Sequence, residues 1–151
     1  MLKEKGLTLS CAESCTGGYF GKRITDIPGA SWVFKGGFIT YTNEAKIELL
    51  GVNPETLQTH TAVSSETAEE MAIGAKNRLK TDIAISITGE AGPIADPTTK
   101  QEVGTVFIGI ATNEKTFSVK LNIARQRDRE YIRRVASSRA MKEIIKILGN
   151  Y

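Results

Sequence analysis

The chain has 151 residues, of which 40% are hydrophobic and 25% charged, with a formal net charge of +3. That length fits one domain, residues 1–151, with a real core. The balance excludes a strongly basic nucleic-acid binder, a disulfide-stapled secreted module and a transmembrane protein: cysteines are only two, and no apolar run reaches membrane-spanning length.

Met1-Leu2-Lys3-Glu4-Lys5 does not read as a signal peptide, so the cytoplasm is the expected compartment. Leu2 to Lys5 reads as the end of a short helix stopped by Gly6. Leu7-Thr8-Leu9-Ser10-Cys11 alternates as a strand does. Ala12-Glu13-Ser14-Cys15-Thr16-Gly17-Gly18 follows as a turn, and a helix of roughly Thr16 to Thr25 ends before Ile27-Pro28-Gly29. A hydroxyl and a thiol thus stand between a strand and a helix, and two glycines let a ligand approach the backbone. Amides opening a helix have no internal partner, which suits an anion or a developing oxyanion. Ser14 is the candidate nucleophile here and Cys15 the lesser one; a plain tight turn fits the same residues.

Gly37-Phe38-Ile39-Thr40-Tyr41 reads as the second strand. Thr42 or Asn43 can cap a short helix from Glu44 to Leu50, closed by Gly51. Pro54 opens another helical piece, and His60 falls in a loop, Thr59 to Ala62. Ser64 or Ser65 caps a long helix to about Lys80, whose Ala68, Met71, Ala72, Ala75 and Leu79 form one apolar stripe. Asp82 to Thr88 is nearly continuously apolar, as a strand covered on both faces would be. It runs into the glycine loop Thr88 to Pro93 and a polar loop, Ile94 to Glu102. Val103 to Ala111 and Lys115 to Ile123 form two strands joined by a hairpin at Asn113-Glu114. A closing helix spans about Arg129 to Leu148. The order predicts an α/β fold: a three-layer α/β/α sandwich on a mixed, mostly parallel sheet with a C-terminal antiparallel hairpin.

A serine hydroxyl needs a base to become a nucleophile. His60 is the one histidine and one candidate. Lys46 is the other, because the helix pattern puts it in a first turn, where the macrodipole disfavours a cation and would depress its pKa. Tyr41 enters the same turn and could relay a proton between Lys46 and Ser14. Gly17 to Arg23 lacks P-loop spacing, Ser14 to Gly17 is not Ser-x-x-Lys, and one histidine leaves a metal site short of ligands. Arg129 and Arg133 lie four apart on one helix face, where each could hold a phosphate or carboxylate, or simply be solvated.

Taken together these stretches resemble the CinA C-terminal-domain family. The likeness runs in one order through Ala12–Gly18, Gly37-Phe38-Ile39-Thr40-Tyr41-Thr42-Asn43-Glu44-Ala45-Lys46, His60-Thr61-Ala62-Val63-Ser64, Met71–Ala75, Thr88–Pro93, Val103–Val106 and Asp128–Arg133. The resemblance implies hydrolysis of the carboxamide of nicotinamide mononucleotide to nicotinic acid mononucleotide and ammonia, in pyridine nucleotide salvage, with no metal or cofactor. It implies Ser14 as nucleophile, Lys46 as its base and Tyr41 as assistant. It places Cys15, Thr16, Gly17 and Gly18 around the oxyanion, and Gly89, Thr105 and Arg129 against substrate. The expected partners are that mononucleotide and further copies of the chain, with no nucleic acid or membrane. Two departures stand out. Family members usually follow the Ala-Gly-Pro loop with an acidic residue and two glycines; here Ile94-Ala95-Asp96-Pro97 follows Pro93. Arg127 stands where a glycine often precedes the Asp. These keep a second reading in play, a catalytically weak nucleotide-binding or scaffold protein of the same fold.

Overall fold

A computed structural model describes residues 1–149. Five strands, β1 (Leu9–Glu13), β2 (Phe34–Ile39), β3 (Ile83–Gly89), β4 (Thr105–Ala111) and β5 (Thr116–Asn122), form one sheet in the order β2-β1-β3-β4-β5. β2, β1 and β3 run parallel, and β4 is antiparallel to both β3 and β5. Four strands therefore share one direction, and β4 alone opposes them. The helices are α1 (Tyr19–Thr25), α2 (Asn43–Leu50), α3 (Pro54–His60), α4 (Ser65–Leu79) and α5 (Arg129–Gly149).

The layers follow from which face of each strand is apolar. Leu9 and Cys11 of β1, with Ile83, Ile85 and Ile108, pack against Phe20 and Ile24 of α1 and Ile132, Ala136 and Ile144 of α5. Ala12 and Ala84 face the other way, onto Leu50, Leu57, Met71 and Ala75 from α2, α3 and α4. This is the expected three-layer sandwich. α4 lies close on the sheet because β4 offers no side chain at Gly109, where a Cβ would collide with the Ala68 carbonyl; Ser86 Oγ donates to that same carbonyl. Side-chain caps start α2, α3 and α4. Thr42 accepts from Ala45 N at 3.2 Å, Asn53 from Glu55 N at 2.9 Å and Ser64 from Thr67 N at 3.1 Å.

Several boundaries differ from the sequence expectation. Residues 2–6 form turns, not a helix. β1 begins two residues later than its alternating pattern suggested and ends on a charged residue, Glu13. β2 begins at Phe34 and stops before Thr40 and Tyr41, and His60 is the last residue of α3. The loop after Pro93 contains a short 3-10 turn, Pro97–Thr99, whose Thr99 is buried. Among the described residues no helix is long and apolar enough to cross a membrane.

Candidate active site

The connections from β1 diverge. α1 leads to β2 on one face, and α2, α3 and α4 lead back across the other face to β3. The carboxyl ends of β1 and β3 thus flank a topological switch point, where open α/β sheets hold ligands. Ser14 follows β1 directly, Gly89 ends β3, and Glu90 and Ala91 follow it. Lys46 comes in from α2 and Arg129 from the start of α5. Together they line a cavity of about 150 Å³, with Cys15, Tyr41, Asp96 and Thr99 also on its wall.

Lys46 is only 1% exposed. Its Nζ donates to Thr40 O at 2.8 Å and to Ser14 Oγ at 3.1 Å. The short loop between β2 and α2 makes this possible, since Thr40 N itself donates to Glu13 O at 2.8 Å and so ties the loop to the end of β1. Burial lowers the Lys46 pKa from the ordinary lysine value to about 8. The cause differs from the one read from sequence. Lys46 is the fourth residue of α2 and its own amide already bonds to Thr42 O at 3.1 Å, so desolvation, not the macrodipole, is what lowers it.

Tyr41 does not sit between the two. It is 58% exposed, and its hydroxyl accepts from Arg129 Nη2 at 2.9 Å while Arg129 Nη1 donates to Gly92 O at 2.6 Å. The direct Lys46–Ser14 contact leaves no gap for a tyrosine relay. His60 is exposed, lies 3.6 Å from Glu66 and is not on the cavity wall. Cys15 is on the wall, but burial pushes its thiol pKa up to about 12, leaving almost no thiolate at neutral pH.

The turn after Ser14 corrects a further expectation. The amides opening α1 are not free. Glu13, 1% exposed, turns its carboxylate under the turn. Oε2 accepts from Gly18 N and Phe20 N, each at 3.0 Å, and Oε1 from Gly21 N at 2.8 Å. The anion that this helix end attracts is the chain's own. Gly17 and Gly18, at φ +56° and +100°, shape the turn around that carboxylate and do not line the cavity. Thr16 is fully buried behind it. Thr105 is off the cavity wall too; its carbonyl accepts from Glu90 N at 2.9 Å and so fixes the glycine loop from outside.

Three contributors escaped the sequence reading, Glu13, the Thr40 carbonyl and Glu90, and Arg133, offered there as a holder of phosphate or carboxylate, grips backbone carbonyls instead. Glu90 is 7% exposed and accepts from Thr99 Oγ1 and from Asp96 N, which pins the altered 94–99 loop to the cavity wall. Arg133 Nε donates to Cys15 O at 3.1 Å and Nη2 to Thr16 O at 2.9 Å. A carboxylate placed immediately before a Ser-x-x-Gly-Gly turn was the one legible cue for Glu13.

Fold and site together define a mixed α/β sandwich that holds a buried lysine against a serine hydroxyl at the sheet's switch point. The chain belongs to the CinA C-terminal domain family, whose sequence profile matches residues 1–148. A CinA-like protein of Trichormus variabilis is 49% identical over 142 residues, 93% of this chain and 34% of that protein. A CinA-like protein of Chloroherpeton thalassium is 55% identical over 115 residues, 76% of this chain and 27% of that one. The chain spans about a third of the length of the curated relatives it matches. Among solved structures, the competence damage-inducible protein A of Klebsiella pneumoniae is similar with a TM-score of 0.94 at 30% identity, over 99% of this chain and 91% of that one. The competence/damage inducible protein of Agrobacterium tumefaciens gives 0.90 at 37% identity, over 96% and 87%.

Proposed function

We propose that this chain is a serine–lysine amidohydrolase acting on the carboxamide of a pyridine mononucleotide, nicotinamide mononucleotide in the first instance. The observation that carries the chemistry is the 3.1 Å contact between Ser14 Oγ and a Lys46 amine that burial has brought to a pKa of about 8. The substrate class comes from the family resemblance.

The steps use this chain's own groups. Neutral Lys46 keeps one N–H on the Thr40 carbonyl and turns its lone pair to the Ser14 hydroxyl. As Ser14 Oγ bonds to the amide carbon, its proton passes to Lys46 and the carbonyl pair moves onto oxygen. The lysine ammonium then protonates the departing amide nitrogen, which leaves as ammonia, and an acyl-enzyme remains. Water attacks that ester with Lys46 again taking a proton, which returns to Ser14 as the acid is released. Arg129, exposed at the rim, supplies a cation for the mononucleotide phosphate. In this mechanism Cys15 contributes backbone and wall, not a thiolate.

Ammonia release from nicotinamide mononucleotide tests the reading. It requires measurable turnover by the purified chain, abolished by Ser14→Ala and reduced about 10²–10⁴-fold by Lys46→Met. Turnover that survives Ser14→Ala refutes it. Binding of the mononucleotide without turnover favours instead the scaffold reading raised by the Ile94–Pro97 loop.

A further inference from the structure

The turn that carries Ser14 is held from two sides. From the sheet, Ser14 N donates to Ile87 O at 2.9 Å, and within the turn Gly17 N donates to Ser14 O at 3.1 Å. From outside, half-buried Arg133 of α5 grips two successive carbonyls, Cys15 O through Nε and Thr16 O through Nη2. A guanidinium fork is more often matched to a carboxylate or phosphate. Among the described residues Arg133 has no carboxylate within ion-pair distance. Gly17 lies against it at φ +56°, a left-handed conformation that favours glycine.

Peptide planarity turns a grip on a carbonyl into a direction for an amide. The C=O and N–H of one trans peptide point opposite ways. The Gly17 amide, by fixing the Ser14 carbonyl, directs Cys15 N–H away from itself. Arg133, by fixing the Cys15 carbonyl, directs Thr16 N–H away from the guanidinium. Neither of these amides has a backbone acceptor among the described residues. The Thr16 hydroxyl beside them is buried and also without a partner. Buried donors left unengaged are rare and ask for a reason, whereas those opening α1 are engaged, Gly18, Phe20 and Gly21 by Glu13 and Tyr19 by the Thr16 carbonyl. Of the two, Cys15 stands on the cavity wall beside Ser14, where a free amide suits an anion.

We infer that Arg133 is a positioning residue, holding the turn at its Cys15 and Thr16 carbonyls so that the Cys15 amide, on the cavity wall, meets the oxyanion formed when Ser14 attacks a carbonyl. This rests on the reading of Ser14 as the nucleophile. Arg133 touches neither Ser14 Oγ nor the substrate; it acts through the backbone. The electron pair displaced from the carbonyl is received by a donor fixed before the reaction begins, and returns to re-form C=O as the amine leaves.

The test uses Arg133→Met, which removes every donor, and Arg133→Lys, which keeps charge but loses the fork. Three quantities are read: the rate at which a fluorophosphonate phosphonylates Ser14, kcat and KM for ammonia release from nicotinamide mononucleotide, and the thermal midpoint. Arg133→Met slows phosphonylation about 10–100-fold and lowers kcat in proportion. KM and the acid limb of the pH profile stay where they were, and Arg133→Lys falls between. A folded Arg133→Met that is phosphonylated as fast as wild type overturns the inference. So does a rise in KM with kcat unchanged, which would put Arg133 on the substrate. If Arg133→Met does not fold, Arg133→Lys carries the same comparison, and wild-type phosphonylation by it overturns the inference. Wild-type protein inert to the fluorophosphonate sinks the nucleophile reading and this inference together. Phosphonylation without ammonia release sinks only the substrate class, and the Arg133 comparison still reads out.

Discussion

Replacing Lys46 by methionine should change how stability depends on pH, by an amount the structure sets. The Lys46 pKa falls from 10.5 in the ordinary state to about 8 in the folded one, because burial penalises the ammonium. A lysine with a depressed folded pKa is destabilising below that value. Between about 8 and 10.5 the unfolded chain binds more protons than the native one, so stability rises with pH, and above 10.5 the penalty is gone. The 2.5-unit depression corresponds to about 3 kcal/mol below pH 8. Between pH 7 and pH 10 about 2.5 kcal/mol of it should be recovered. The Thr40 carbonyl, which loses its donor in Lys46→Met, adds a constant cost of about 1–3 kcal/mol. That offset and all other titrations cancel in the difference of differences. Urea unfolding of both proteins at pH 7 and pH 10 measures it: the wild type should gain about 2.5 kcal/mol on its variant over that interval. A gain below about 0.5 kcal/mol would mean that the amine is not depressed, and the argument for it as a base at neutral pH would collapse.

The rate at which Ser14 reacts, with substrate or with a fluorophosphonate, should fall on the acid side through a single ionisation near pH 8, the value to which burial brings Lys46; a rate flat through that ionisation would remove Lys46 as the base. Glu13→Gln removes the charge and one of two acceptor oxygens under the turn, leaving amides among Gly18, Phe20 and Gly21 unmet, and should cost about 3 kcal/mol in urea unfolding. A loss under about 1 kcal/mol would show that the buried carboxylate is dispensable. Because burial pushes the Cys15 thiol up to about 12, iodoacetamide at pH 7.5 should leave it unmodified in the native protein and label it on unfolding, read by mass spectrometry; native labelling would contradict the burial argument.

The layer order was legible because periodicity is strong where elements are long: the Ala68-Met71-Ala72-Ala75 stripe and the Ile83–Ile87 run landed where their patterns put them. β1 was read two residues early because Ser10, Glu13 and Ser14 look solvent-facing by type, and only the folded chain supplies their buried partners. The approach of Lys46 to Ser14 joins residues 32 apart in the chain. Spacing could offer Lys46 as a candidate, yet it assigned the wrong cause to the lowered pKa, since burial is a property of the packed layers and not of helix position. Tyr41 was placed between the pair for the same reason: proximity along the chain stood in for direction. Glu13 was hidden, and Arg133 given an anion in place of its carbonyls, because each works on backbone atoms, which sequence patterns do not distinguish.

The carboxylate under the Ser14 turn has a bearing on redesign. In many nucleotide-binding proteins the opening of a helix can be retuned toward new phosphate ligands by varying the glycines there. Here that positive end is already quenched from within, so a library spread over residues 16–18 would mostly damage folding. Variation aimed at altered ligand choice belongs on the 94–99 segment and the first turn of the last helix, whose exposed Asp96 and Arg129 supply the rim's charge.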